Sequence, residues 1–374
     1  MFAKMKPSRI QKQRSSFQFL ILILVFFSMV GNANGQHQFI KNDYDTTYIC
    51  SYTEEFTARV LSALSFVDIS FKDNEINKSL KYGINSKVAI GLGFNYSVFG
   101  INLGISPWAS SVSNSKYGKT KSIDFRMNLY GRKIIFDLYL MSHTGFYLSN
   151  PESVLNNWED NGTYPLRPDM TMFSAGIVSQ YIFNNKKFSL RATYLQNEWQ
   201  KKSAGSFIIG GSFFYSHFHG DSSFIPTDIN PPYFINGYKF NHSSSINFGI
   251  NGGYSHTFVL KRNYFFSIGL SLGPQIGYSE TSSSDIGWPD KSSVTMGLNG
   301  LIRTGIGYNS RRIYFGAFFI NEYLSHQLSI NNVSSSMSVG IFRLNFAYRF
   351  TLKKPIKFLN PNYWKFLQSK ESKR

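Results

Sequence analysis

Apolar and polar residues alternate one by one through much of the chain, most cleanly in SVGIFRLNFAYRF at 338–350. On an extended strand Phe342, Leu344, Phe346, Tyr348 and Phe350 share one side, and Arg343, Asn345, Ala347 and Arg349 the other. A soluble protein would turn the apolar row to a core. A membrane barrel would turn it to lipid and the arginines to a polar lumen. The same pattern predicts strands at 56–71, 87–98, 101–106, 122–130, 133–148, 171–183, 187–195, 206–218, 244–260, 264–278, 294–308, 313–321 and 338–350, with no amphipathic helix between them. His219, Gly220 and Asp221 supply a tight turn before a short strand at 222–225. The expected count is about 14 strands, with 12 if two weak segments form one bent strand, since single-chain bacterial barrels have even numbers.

The connections choose between core and lipid. Tight turns at 99–100, 131–132, 184–185, 219–221, 261–263 and 309–311 alternate with polar loops at 72–86, 107–120, 149–169, 197–204, 226–242, 279–292 and 322–337. Short turns facing the periplasm and long loops facing the exterior are the pattern of an antiparallel transmembrane β-barrel of the outer-membrane type. Pro274 breaks the pattern inside 264–278 and is expected to mark a bulge or the part of the strand above the membrane.

Composition agrees. The 374 residues include 17% aromatics, yet mean hydropathy lies just below zero, as alternating lipid-facing and lumen-facing positions require. Lys4, Lys6, Arg9, Lys12 and Arg14 precede an apolar run at 17–30 and the small residues Gly31, Ala33 and Gly35. This reads as a signal peptide, 1–35, cleaved after Gly35. A periplasmic lead follows at 36–55 with Asp43, Asp45, Glu54 and Glu55, then the barrel at 56–350 and a basic periplasmic tail at 351–374. Lead and tail are expected to attract each other by charge. The leader takes five positive charges from a formal net charge of +18. The remaining basicity fits anionic lipid headgroups rather than nucleic acid in an exported protein. Cys50 is the single cysteine, which excludes an internal disulfide and a cysteine-based metal cluster.

Several stretches resemble the Bacteroidota family known as domain of unknown function 4421: YDTTYI at 44–49, GKT at 118–120, LYGRK at 129–133, LRPD at 166–169, QNEWQKKSAGS at 196–206, GDSS at 220–223, and NPN at 360–362 with Trp364. The resemblance runs from about Asp43 to Trp364, with 196–206 its most specific part. It implies an exported outer-membrane barrel, and no reaction, substrate or catalytic residue.

Charged residues fall opposite the apolar rows. Asp124, Arg126, Asp137, Arg191, Arg303 and Arg343 are all expected in the lumen, because Arg or Lys on the lipid face costs about 2–4 kcal/mol at midplane. They would form either an ion-pair network that fixes register or a filter for anionic solutes, with Arg343 and Arg349 pairing acids such as Asp124 or Asp137. Trp199, Lys201 and Lys202 are expected in an outward loop, as a contact for lipopolysaccharide phosphates or as an aromatic-and-lysine border. There is no GxSxG, HExxH or Walker motif, and Ser142 and His143 face opposite ways on one strand. No catalytic residue, cofactor or metal is therefore expected. The expected function is that of a non-enzymatic outer-membrane barrel, structural or a narrow solute pathway, inserted by the barrel-assembly machinery among outer-membrane lipids. An outer-membrane enzyme acting on lipid or lipopolysaccharide, and a secreted soluble β-protein binding glycans or partners, are the alternatives.

Overall fold

A computed structural model describes residues 43–106, 111–156, 158–284, 289–330 and 332–359. The leader and the end of the basic tail lie outside the described residues. The strands, in chain order, are β1 (Ile49–Ser51), β2 (Phe56–Asp73), β3 (Lys78–Gly83), β4 (Val88–Tyr96), β5 (Phe99–Ile105), β6 (Lys121–Tyr130), β7 (Ile134–Leu148), β8 (Leu166–Ile182), β9 (Glu198–Gln200), β10 (Ala204–His219), β11 (His242–Leu260), β12 (Tyr264–Ser282), β13 (Lys291–Asn309), β14 (Ile313–Gln327) and β15 (Val333–Phe350). Among the described residues, thirteen of them form one antiparallel sheet that closes on itself. The closing seam joins β15 to β2 from Phe350↔Phe56 to Val333↔Asp73. Closure matters because no edge is left along that seam.

The strand count differs at the two ends. The outer part of β2 pairs with β3, and its inner part with β4, so β3 and β4 run end to end along the same neighbour. β3 reaches β7 through Tyr82↔Leu148 and Gly83↔Tyr147, while β4 leads to β7 by way of β5 and β6. The barrel therefore has ten strands at its long-loop end and twelve at its short-turn end. Twelve is the lower of the two counts the alternation allows.

Two predicted strands are absent from the wall. Residues 187–195 lie inside the barrel as a helical turn, Leu190–Tyr194, rather than crossing it. Ser189 caps that turn by accepting from the Ala192 N–H. Phe188, Leu190, Ala192 and Tyr194, expected to face lipid, are all buried. Their alternation with Ser189, Arg191 and Thr193 arises because a segment buried on all sides has polar and apolar neighbours all round. Residues 222–225 belong to the long loop between β10 and β11. With both removed, the connection from β8 to β10 begins and ends at the short-turn end.

Elsewhere the two faces separate as expected. On β15, Phe342, Leu344, Phe346 and Phe350 are exposed while Arg343, Asn345, Ala347 and Arg349 are buried. Across β10 to β13 many outward positions are apolar, as at Phe207, Phe248, Leu272 and Met296, and many inward ones are Ser or Asn, as at Ser212, Asn247, Ser271 and Asn299, with apolar exceptions such as Ile208, Phe214 and Leu301. The strands β11, β12 and β13 are 19 residues long, well beyond the roughly 9–11 that a bilayer crossing requires.

Pro274 sits in the middle of β12 and stays paired with Leu298 of β13. Its missing N–H falls on the β11 side, where the ladder opens between Gly249↔Gln275 and Gly252↔Leu272. The Asn299 amide closes the gap from within, donating to the Ile250, Gly273 and Pro274 carbonyls at 3.0–3.2 Å. The proline is tolerated because a luminal side chain replaces the lost backbone donor.

Candidate functional site

Three luminal layers follow one another from the short-turn end outward. The first is a plug. Residues 183–203 fold back into the mouth, and β9 pairs there with β1 from the N-terminal lead, Ile49↔Gln200 to Ser51↔Glu198. The described part of the lead, 43–55, is thus part of the plug along β1. Gln196, Asn197 and Glu198 are fully buried. Glu198 accepts from Arg132 and Ser189 and lies 3.6 Å from Arg191. Arg59 reaches Gln196 and also Asn95, at 2.6 Å. Arg349 donates to the Gln196 carbonyl at 2.7 Å and to Asn309 at 2.8 Å, and its guanidinium lies over the Tyr52 ring. Tyr314 donates to the Thr193 carbonyl. Phe188, Leu190, Tyr194 and Leu195 pack on Tyr130, Ile135 and Phe318 from the wall. In the lead itself, the Thr47 hydroxyl and N–H hold the Asp45 carboxyl below its ordinary range. Burial pushes the Tyr52 phenol well above its own.

The second layer is a polar belt. Asp137 takes hydrogen bonds from Arg303, from Asn128 at 2.5 Å and from Tyr130 at 3.2 Å. Arg303 also reaches Gln180, which donates to Ser271. Arg126 holds both oxygens of Asp124, at 2.8 and 2.9 Å. Glu322 is buried nearby with neither carboxylate oxygen hydrogen-bonded among the described residues.

The third layer is an apolar stopper. The loop between β10 and β11 turns inward, placing Phe224, Phe234 and Phe240 on Phe71, Leu80 and Tyr82. Phe71 meets the Phe224 ring at 5.5 Å and the Phe240 ring at 5.2 Å. The Ile235 N–H is anchored on Asp73 at 2.8 Å.

The barrel wall is incomplete at one place. β5 and β6 pair only at Phe99↔Leu129 and Gly100↔Asn128, then diverge. Behind the gap is a cavity of about 510 Å³ bounded by β2, β4, β5, β6, β7 and β15. Ser122 and His143 sit opposite each other across the β6–β7 ladder, with Ser122 Oγ 2.9 Å from His143 Nδ1. The other ring nitrogen, Nε2, has no partner among the described residues.

Of the residues expected in the lumen, Asp124 with Arg126 and Asp137 with Arg303 come together as ion pairs. Arg191 is luminal too, but it enters from the plug and not from a strand, donating to the Ser97 carbonyl. Arg343 and Arg349 do not pair with Asp124 or Asp137, because those acids are taken. Arg343 instead lies over the Phe318 ring at 5.3 Å. Trp199, Lys201 and Lys202 are not in an outward loop. They lie at the short-turn mouth, since 183–203 never crosses the wall. The Trp199 indole donates to the Arg262 carbonyl, Lys201 to the Thr46 carbonyl, and Lys202 stacks over Tyr48. No ion pair joins lead and tail among the described residues, and Asp43 pairs with Lys186 of the plug at 3.1 Å. The Ser122–His143 contact depends on strand register, which the sequence pattern alone did not provide.

A family model described as "Domain of unknown function (DUF4421)" matches residues 43–350. No curated protein matches the sequence. Among solved structures, the outer membrane protease OmpT from Escherichia coli is similar at 8% identity, covering 80% of this chain and 98% of its own, with a TM-score of 0.37. The outer membrane protein OprG from Pseudomonas aeruginosa is similar at 11% identity, covering 82% of this chain and 100% of its own, with a TM-score of 0.22. The attachment invasion locus protein Ail of Yersinia pestis is similar at 18% identity, covering 58% of this chain and 97% of its own, with a TM-score of 0.23.

Proposed function

The chain belongs to the family described as domain of unknown function DUF4421, and on that premise we propose that it is a non-enzymatic barrel of the outer membrane whose lumen is sealed rather than conducting. The observation that carries this reading is the buried plug. Gln196 and Glu198 are tied to four separate parts of the wall through Arg59, Arg132, Arg349 and Asn309, and Asn197 donates to the Ser97 carbonyl. A solute filter would leave luminal charges facing water. Here Arg303 and Asp137 face each other, and the stopper of Phe224, Phe234 and Phe240 closes the other mouth.

Membrane placement is supported by the outward apolar surface, whose inward counterparts are polar. On this reading the short-turn end, with the described segments 43–55 and 351–359, faces the periplasm, and the long loops face outward. An enzymatic reading has one observation in its favour, the Ser122–His143 contact. Nucleophilic catalysis also needs a group that orients the base. The two oxygens of Asp124 are held by Arg126, and His143 Nε2 meets no carboxylate among the described residues. The geometry favours binding over turnover.

Cell fractionation followed by gels of heated and unheated samples tests the placement. The protein is expected in the outer-membrane fraction with a faster-running unheated band. Recovery in the soluble periplasm, without a heat-dependent shift, contradicts the reading.

A further inference from the structure

The gap between β5 and β6 is unusual for a membrane wall. Past Gly100 and Asn128 neither strand has a ladder partner on the facing side among the described residues. Backbone N–H and C=O groups cannot be left to hydrocarbon, so such edges are tolerated only where they line a polar cavity. That cavity is present, and its volume of about 510 Å³ lies within the roughly 300–1,000 Å³ of small-molecule sites. Outside, the lips of the gap are apolar: Leu103 is 60% exposed, Ile105 73% and Ile123 67%.

The inner wall is cationic. Arg343 is 7% exposed, takes part in no ion pair among the described residues, and its Nε has no acceptor. His143 is 1% exposed with Nε2 unpartnered. Arg126 adds a second guanidinium, and Lys87 lies at the rim. Asp124 is the acid in the cavity, and both its oxygens are engaged by Arg126. Positive charge inside and apolar lips outside match one chemistry.

We propose that this cleft is a side-entry site for an amphiphile with a carboxylate or phosphate head. The head sits against Arg343, Arg126 and His143, and the alkyl chain leaves between β5 and β6 into the bilayer. A guanidinium with a free donor offers an oxyanion a charge-assisted hydrogen bond. The chain keeps its contact with lipid. The inference rests on the membrane placement proposed above, but its test does not share that reading's outcome.

Dodecyl phosphate, dodecanoate and inorganic phosphate are titrated calorimetrically into the full-length protein held in neutral detergent micelles, after an unheated gel has shown the folded band. Saturable binding of at least one of the two amphiphiles is expected, at least tenfold tighter than inorganic phosphate. Arg343→Gln is expected to weaken it about tenfold or more. Gly104→Trp tests the cleft separately. An added Cβ at Gly104 meets only ordinary contacts, 3.5 Å or more away, and the larger side chain obstructs the cavity between β5 and β6. That variant should keep the folded band and lose binding. Inorganic phosphate binding as tightly as the amphiphiles overturns the side-entry site in favour of a free-anion site. Binding that survives either substitution in a folded variant, or no saturable binding by the folded wild type, overturns it outright.

Discussion

Two buried carboxylates of the polar belt, Asp137 and Glu322, differ in their surroundings. Asp137 is hydrogen-bonded to Arg303, Asn128 and Tyr130, whereas Glu322 has no hydrogen bond to either oxygen among the described residues. Removing one partner of a buried ion pair costs about 3–5 kcal/mol, because the other charge is left uncompensated. Asp137→Asn should therefore lower the temperature at which the unheated band converts to the heated one by a large margin. Glu322→Gln replaces a buried carboxyl that has no hydrogen-bond partner among the described residues with an amide of the same shape and should leave that temperature unchanged or raise it. Gel-shift melting of the two variants checks this, and equal losses would sink the distinction. Little of it was legible in sequence. Asp137, Arg303 and Arg343 showed an inward parity, but parity says nothing about which acid meets which base. That pairing depends on residues far apart in sequence that closure brings together.

Strand faces were the most legible element-level feature, since period two along β15 directly reports which side is buried. Arg343 and Phe346 test it. On the proposed membrane placement Phe346→Arg puts a charge on the lipid face, where the cost rises toward about 2–4 kcal/mol at midplane, whereas Arg343→Gln changes only the lumen. Outer-membrane yield should fall much more for the first, and comparable yields would refute the orientation. Residues 187–195 show where the same pattern misleads. Nine residues of alternation inside a plug look like a strand until the polar run Gln196-Asn197-Glu198 is placed in the interior. That run fell within the stretch most specific to the family resemblance, and its density of uncapped polar groups was the available signal. Glu198 is the plug's main anchor. Glu198→Ala leaves Arg132 and Arg191 as neighbouring buried cations, so the plug should loosen while the wall stays closed. Limited proteolysis is expected to cut within 183–203 in the variant only, with the unheated band retained. An uncut variant would mean that the apolar contacts of Phe188 and Leu190 suffice.

At the scale of the whole molecule, one closed sheet carries a lining that blocks it twice. The hairpin of β5 and β6 widens the barrel from ten strands to twelve at the end where the plug must fit. The alternation of turns and loops made the closed sheet predictable. It could not reveal that the longest connection at the short-turn end folds inward. Pro274 had a similar fate: expected to mark a bulge or the part of the strand above the membrane, it is absorbed by Asn299 of the neighbouring strand β13. A lumen blocked at both mouths is expected to transmit nothing along the barrel axis. Single-channel recording in planar bilayers, on protein that shows the folded unheated band, tests that most directly. Insertion without unitary conductance steps is the expected result, for Glu198→Ala as well as for the wild type, because the stopper of Phe224, Phe234 and Phe240 closes the other mouth. Stable, repeated steps from the wild-type barrel would contradict the sealed lumen.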